Sequence, residues 1–545
     1  MMRKTATVVV ALLLAPAAQA ADDAIRFTNV SKPAGLYSLH RTKHPDRKVA
    51  TSQPNFVDVY RKGYHWNVTD VTFVDADGDG TLDVFAMNAP HCLWSRLWLG
   101  DGKGNFAEVD PQRLSGATLN ANSRYWPRHW RVLAYDLLAN GAQDIFITSN
   151  TTGYAQVEKG GRMLRCFTVR PKRPEDFVTY DLRSETCGTT LLLSDLDGDG
   201  VLDFISGACP RNRRGYDNRV MFGIVIDGAI EQDRTEVPVP VGNHAIAADF
   251  DGDGLTDILG RGGQRTVRLL RNLGRRRFTD VTEKTGLATM PPNGPVAAAD
   301  FNNDGRLDLY CHGAGTSSVR GGVKLYLNRG DGSFTDVTAG SGLISKGQKP
   351  AMPTAGTATT ADFDSDGRVD LFVCVGSKNL LWRNLGDGKF VDVTAASGVL
   401  ADAADESSNA AADFDGDGRV DLLTVTRQHG VGLLRNTSGV QNAWLRVKPV
   451  GPRGNPEAAG ARVTVYEPGR LGDRNAIIGC REVVVATEFK VPRTLHFGLG
   501  KRGACDLRVV FPGGKQVEKR GLNVRQTVVV TEGSGKKAEE HVDGR

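Results

Sequence analysis

Catalytic signatures are missing from this 545-residue sequence. There is no Gly-x-Ser-x-Gly elbow to present a nucleophilic serine, no His-Glu-x-x-His pair, no glycine-rich phosphate cradle with a lysine, and no Cys/His cluster with zinc spacing. Long apolar runs are missing too. The stretch from Val8 to Leu14 is too short to cross a bilayer, and no other stretch approaches the roughly 20 apolar residues that a spanning helix needs. Neither sign of charge dominates, with 68 Lys and Arg against 63 Asp and Glu, and the basic residues are scattered without a nucleic-acid-binding module. Together these absences argue against hydrolase, metalloprotease, nucleotide-dependent and membrane-spanning classes.

What the chain does contain is a repeat. A short β-type apolar stretch runs into Asp-x-Asp/Asn-x-Asp-Gly-x-x-Asp, or a worn copy of it, beginning at Asp75, Asp136, Asp195, Asp249, Asp300, Asp362 and Asp413. Carboxylates at positions 1, 3, 5 and 9, with the carbonyl of position 7, are the hard oxygen donors that Ca²⁺ prefers, and Gly at position 6 permits the sharp turn that aims them inward. The competent sets are Asp75, Asp77, Asp79, Thr81 and Asp83; Asp195, Asp197, Asp199, Val201 and Asp203; and Asp249, Asp251, Asp253, Leu255 and Asp257. The same positions recur as Asp300, Asn302, Asp304, Arg306 and Asp308; Asp362, Asp364, Asp366, Arg368 and Asp370; and Asp413, Asp415, Asp417, Arg419 and Asp421. In the copy at Asp136, Leu138 replaces a ligand and Asn140 removes a charge, so a turn without tight metal is expected there. A solvated hairpin turn explains any one such stretch, but six in register point to about six Ca²⁺ sites. Helix–loop–helix calcium hands are excluded, because they need a bidentate Glu at position 12, where Ala86, Ser206, Gly260, Cys311, Val373 and Thr424 stand.

Loop starts are 51 to 62 residues apart, and a period of that length calls for a repeat architecture. Each loop joins two short apolar runs, such as Val71 to Val74 and Val84-Phe85, which read as strands. A second marker follows, as in Leu325-Tyr326-Leu327-Asn328 and then Gly330 to Thr338, and reads as a second hairpin. Two hairpins make a four-stranded sheet, and seven such sheets predict an all-β, seven-bladed β-propeller. The last unit stops at Asn436 without a Phe-x-Asp-Val-Thr strand, whereas Phe27-Thr28-Asn29-Val30-Ser31 has no blade of its own. The N-terminal strand is therefore expected to close the last blade.

This pattern resembles the FG-GAP/VCBS repeats of integrin-α-like propellers over roughly residues 25–437. Beyond it, Asn442 to Val447, Gly460-Ala461-Arg462-Val463, His496 to Gly500 and Val509 to Lys515 resemble an ASPIC/UnbV domain, with Asn455-Pro456 departing from that pattern's usual Asn-Arg. The combination is similar to the cartilage acidic protein family. Four segments are expected: a signal peptide (1–20), the propeller (21–437), a small β-sandwich-like ASPIC/UnbV domain (438–532) and a disordered tail (533–545). The signal peptide rests on Arg3 and Lys4, the apolar run after them and the small-x-small site Ala18-Gln19-Ala20, and implies a periplasmic or extracellular protein.

Eight cysteines in an exported chain permit disulfides. Cys480 with Cys505 is the expected pair. Cys166–Cys187 and Cys187–Cys209 both fit their spacing, and Cys311 and Cys374 read as buried thiols.

Calcium loading would make a chain of formal charge +5 strongly basic, which suits an anionic partner such as acidic polysaccharide or cell-envelope polymer. The calcium loops share one face of the ring, so the connections entering each first strand share the other. Two of these, residues 37–70 and 110–131, carry His65, Trp66, Tyr125, Trp126, Arg128, His129 and Trp130, and with His244 they define a candidate contact face for carbohydrate or protein. The sequence thus reads as a binding or adhesion module. The alternative is a polysaccharide lyase or other carbohydrate-active enzyme built on the same calcium-stabilised scaffold, with His65, His129 and His244 near the axis.

Overall fold

A computed structural model describes residues 24–36, 67–89, 96–109, 130–149, 164–170, 173–182, 191–206, 219–221, 224–226, 230–232, 236–238, 244–261, 267–292, 294–313, 322–344, 357–375, 378–399, 408–426, 430–439, 442–486, 490 and 493–533. Segments 1–20 and 534–545 lie outside the described residues.

The described chain is all-β and is dominated by antiparallel sheets of four strands. Sheet 1 comprises Asn67–Val74, Asp83–Ala89, Arg96–Gly100 and Phe106–Glu108. Sheet 2 comprises Trp130–Tyr135, Asp144–Ser149, Leu164–Arg170 and Arg173–Leu182. Sheets 3, 4, 5 and 6 open with Leu191–Ser194, His244–Ala248, Val296–Ala299 and Ala358–Ala361. Sheet 7 takes Asn409–Ala412, Asp421–Thr426 and Gly430–Asn436 from the end of the repeats and Phe27–Asn29 from the N-terminus. The register is Phe27 to Asn436, Thr28 to Arg435 and Asn29 to Leu434, so the N-terminal strand fills the place that the sequence assigned to it.

First strands run side by side from sheet 3 through sheets 4, 5, 6 and 7 to sheets 1 and 2, that of sheet 1 touching those of both sheet 2 and sheet 7. Small residues make this approach possible. Ala297, Ala298, Ala299, Ala410, Ala411 and Ala412 are all buried where the strands crowd together.

Two polar devices recur between neighbouring sheets, and sequence reading identified neither. The first is the Asn that ends the third strand. Its Nδ2 donates to the carbonyl of position 8 in its own loop and to that of position 2 in the preceding sheet: Asn272 to Thr256 and Leu196 (3.0 and 2.7 Å), and Asn328 to Leu307 and Phe250 (3.0 and 2.8 Å). Asn384 reaches Val369 and Phe301 (2.9 and 3.0 Å), and Asn436 reaches Val420 and Phe363 (2.9 and 2.8 Å). The second device is a close backbone approach at the rim. Phe106 N donates to Ala34 O at 2.8 Å, and a Cβ on Gly35 would lie 2.4 Å from Phe106 O, which only glycine avoids. Gly286, Gly342 and Gly398 press in the same way on Phe334, Phe390 and Phe27, so the N-terminal segment behaves as one more repeat in the series.

The C-terminal domain packs Leu495–Gly500, Ala443–Val450 and Gln526–Thr531 against a sheet of Ile477–Glu482, Arg462–Tyr466, Ala504–Val510 and Gln516–Asn523. Its apolar interior is continuous with the repeats: Val463, Phe497 and Val509 share one cluster with Leu133, Phe146, Leu193 and Phe204 of sheets 2 and 3. The domain also sends the strand Val485–Ala486 into the repeats, where it pairs antiparallel with Leu192 and Leu193 and touches the first strands of sheets 2 and 4.

Cys480 and Cys505 are buried free thiols, which overturns the expected disulfide between them. Their strands flank Arg462–Tyr466 on opposite sides, so two strand spacings, about 9.5 Å, separate them, beyond the Cα distance a disulfide spans. Cys311 and Cys374 are buried thiols as expected. Cys187 and Cys209 lie outside the described residues.

Replacing Asn384 by Ala orphans two buried carbonyls and the Gly386 N–H that the side chain accepts, while creating little apolar void. A loss of about 3 kcal/mol in unfolding free energy is expected, read from the denaturant midpoint at unchanged slope.

Candidate metal loops and the face they form

Every repeat loop folds by the same rules. Position 6 donates its N–H to the position-1 carboxylate, as in Gly80 to Asp75 at 3.2 Å, Gly254 to Asp249 at 3.1 Å and Gly418 to Asp413 at 2.9 Å. The position-7 N–H binds the position-5 carboxylate, as in Thr81 to Asp79 at 2.7 Å and Arg419 to Asp417 at 2.9 Å. Position 6 sits at positive φ throughout, from +82° at Gly305 to +100° at Gly367, which explains its glycine.

The aspartate at position 9 does more than the sequence implied. One oxygen accepts the N–H of position 2, and the other accepts the N–H that ends the third strand. Asp257 binds Phe250 N at 3.2 Å and Asn272 N at 2.8 Å, and Asp370 binds Phe363 N at 3.0 Å and Asn384 N at 2.8 Å. It therefore locks the loop to the second hairpin while it faces the loop interior.

Carboxylate oxygens converge within 4.8 Å of one another in five loops: Asp75/Asp77/Asp83, Asp195/Asp197/Asp199, Asp249/Asp251/Asp257, Asp362/Asp364/Asp370 and Asp413/Asp415/Asp421. The fifth loop assembles no such trio among the described residues. Asn302 stands at position 3 there, and its Nδ2 donates to Asp304 at 3.1 Å. Buried oxygens of Asp75, Asp364 and Asp413 lack a hydrogen-bond donor. Burial, with neighbouring carboxylates, pushes Asp75 up to about 6, Asp83 and Asp257 to about 8 and Asp300 to about 7. Crowded, desolvated carboxylates with spare oxygens are a donor set that a hard divalent cation satisfies. The loops thus can hold metal ions.

Loop 2 brings together no trio among the described residues. Its Asp136 is spent on Asn140 N and Gly141 N, both at 3.0 Å, and Leu138 N donates to Asp144 at 3.1 Å. It is a turn of the same shape held by hydrogen bonds.

Arginines are the functional residues that sequence reading missed. Arg271 sits 2.5 Å from Asp251 and 3.1 Å from Asp253; Arg383 sits 2.6 Å from Asp364; Arg435 sits 2.6 Å from Asp415. All three precede the third-strand Asn, so the Arg-Asn pair within the second marker was the available signal. Loop 1 has Leu99-Gly100 at the corresponding place and lacks this cation.

The C-terminal domain lies on the same face. Arg446 meets Asp413 at 3.0 Å, Arg462 meets Asp249 at 3.6 Å, and Glu482 accepts Asp249 N at 3.2 Å. At loop 2, Tyr135 Oη donates to Asn455 Oδ1 at 2.6 Å and Gln143 Nε2 to Glu457 at 2.6 Å.

Sequence comparisons agree with this layout. Residues 249–311, 314–373 and 362–424 match the FG-GAP-like repeat, and residues 451–537 match the family described as ASPIC and UnbV. Cartilage acidic protein 1 of Homo sapiens is 30% identical over 490 residues, covering 82% of this chain and 69% of its own. The chain belongs to the cartilage acidic protein family. The Xenopus tropicalis family member is 24% identical over 483 residues, with 82% of this chain and 70% of its own covered. Among solved structures, an Agrocybe aegerita lectin recognising non-reducing terminal N-acetylglucosamine matches at TM-score 0.41 and 19% identity, over 61% of this chain and 82% of its own. That likeness is too loose to inform the site.

Of the contact-face candidates, Trp130 and His244 open the first strands of sheets 2 and 4, at the ends away from the loops. His65, Trp66, Tyr125, Trp126, Arg128 and His129 lie outside the described residues.

Two measurements test the loops. Asp251→Ala removes a converging carboxylate and should lose about one calcium per chain by elemental analysis, whereas Leu138→Ala should lose none. In chelated protein the raised carboxylates favour folding when protonated, so this stabilisation is full below about pH 4 and disappears as pH rises through 6 to 8. Melting with EDTA should therefore fall between pH 5 and 8, and calcium should flatten that slope.

Proposed function

We propose that this protein is an exported, calcium-loaded binding module whose partner is a protein or an anionic glycan of the cell envelope. In this reading the seven sheets close into a seven-bladed β-propeller, sealed by the N-terminal strand, and about six loops hold Ca²⁺ at the positions given above. The arrangement that supports it best is the seat of the C-terminal domain: it covers the metal-loop face, with contacts to Asp249 and Asp413 themselves. The opposite face is left for an external partner, and there the first strands of sheets 2 and 4 begin at Trp130 and His244.

Calcium supports export, since extracellular sites function with weak affinity, about 10⁻⁴ to 10⁻³ M, where the ion is abundant. No helix among the described residues is long and apolar enough to cross a membrane. Membership in the cartilage acidic protein family favours binding over catalysis.

A screen of envelope glycans and proteins, with and without calcium, should find a partner for the wild-type chain. Trp126→Ala with Arg128→Ala should reduce that binding at least tenfold while calcium-dependent melting holds. Time-dependent cleavage of an acidic polysaccharide, lost in His129→Ala or His244→Ala with binding retained, would establish the lyase alternative instead.

A further inference from the structure

Besides its apolar core and its ion pairs, the C-terminal domain meets the repeats through a set of hydrogen bonds on their loops, most of them to loop backbone. Asn442 Nδ2 donates to Asp364 O at 2.8 Å, Gly500 N to Ser365 O at 2.9 Å and His496 Nε2 to Gly418 O at 2.9 Å. Arg462 donates to Gly305 O, Leu202 N donates to Gly454 O at 3.1 Å, and Asn303 Nδ2 donates to Ile478 O at 2.7 Å. Every repeat atom in this set lies between positions 1 and 9 of loop 3, 5, 6 or 7. Contact is tight enough that a Cβ on Gly498 would lie 2.1 Å from Asp362 Oδ2. The shape of the loops is therefore the shape of the socket.

A second element reaches inward from the same domain. After pairing with sheet 3 through Val485–Ala486, the chain bridges back at Lys490, whose buried ammonium donates to Asp70, to Val71 O and, at 3.0 Å, to Ser408 Oγ. Asp70 also accepts Val132 N at 2.7 Å, so one cation ties together sheets 7, 1 and 2 from inside.

We propose that the C-terminal domain is a plug whose seating is coupled to metal occupancy of the loops beneath it. The inference rests on the reading that these loops take Ca²⁺. Empty, loops 3, 6 and 7 carry carboxylates within 4.8 Å of one another, and their repulsion displaces the backbone carbonyls and amides of those loops that receive the domain. Filled loops hold those atoms in place. Linkage then runs both ways: whatever factor the metal contributes to seating, seating contributes to metal affinity, typically 5- to 150-fold for such couplings. Loop 1 is a built-in control, because among the described residues no hydrogen bond or ion pair joins positions 75–83 to the C-terminal domain.

The test uses the full chain in hydrogen exchange and calorimetry. Adding a chelator should speed amide exchange in Val485–Ala486 and Ala443–Val450 at least tenfold while the outer strand Phe334–Asp336 keeps its protection. Tyr135→Phe removes the hydroxyl that bridges Asn455 and Glu457, keeps the ring beneath the Arg493 guanidinium and alters no competent loop. It should weaken calcium binding about fivefold or more at the covered sites, leave stoichiometry unchanged, and spare the loop-1 site, identified by its loss in Asp77→Ala. Calcium binding with unchanged seam exchange and unchanged affinity in Tyr135→Phe would overturn the coupling and leave the calcium reading intact. Equal acceleration of exchange in every sheet would also overturn it, since the metal would then hold the repeats rather than the seat. No calcium binding at all would overturn both readings.

Discussion

A buried aspartate with both oxygens committed to backbone N–H groups is the constraint from which the molecule is built. It recurs as Asp83, Asp257, Asp308, Asp370 and Asp421, each 2% exposed or less. An ionised carboxylate in such a place is costly unless donors and a nearby cation compensate it. The donors are supplied by the start of its own loop and the end of the third strand, so one side chain fixes the angle between two hairpins. Once that angle is set, the following Asn is positioned to reach the preceding sheet, and repeat joins repeat. Remaining negative charge is met by Arg271, Arg383 and Arg435 at the outer side and by Arg446 and Arg462 from the C-terminal domain.

Local, repeated signals were legible in the sequence: loop register and the defect at Leu138 follow from residues a few positions apart. The strand at Phe27 was read from the outer strand that the last repeat lacks, and it pairs there. The loop at Asp300, read as competent, brings together no carboxylate trio among the described residues. The third-strand Asn was visible as part of a marker, but its purpose is a contact with Phe250, Phe301 or Phe363, 73 to 83 residues away, which no local spacing encodes. The cysteine pairing failed for a related reason. Counting cysteines in a domain says nothing about a strand lying between them, and Arg462–Tyr466 occupies that place.

The C-terminal domain was legible as a unit but its position was not. Its resemblance to the ASPIC/UnbV pattern marked it in the sequence, and in the structure Ala443–Val450 alternates buried and more exposed residues. Its interior, however, is completed by Leu133, Phe146 and Phe204 of the repeats, so what reads as a separate module shares their core. Asn455 anchors both its own turn through Ala459 and the repeats through Tyr135.

The pairing of Phe27 with Asn436 also shapes how the chain can be made. A strand finished among the first thirty residues waits for a partner about 400 residues later, so the last sheet cannot form until almost all of the repeats have left the ribosome. During that interval the nascent protein carries two open sheet edges with complementary register. Each is a template for the wrong neighbour, another copy of the same chain included. Pairing the N-terminal strand with the last repeat thus protects both edges in the finished protein at the expense of a period in which the growing chain depends on whatever keeps them apart.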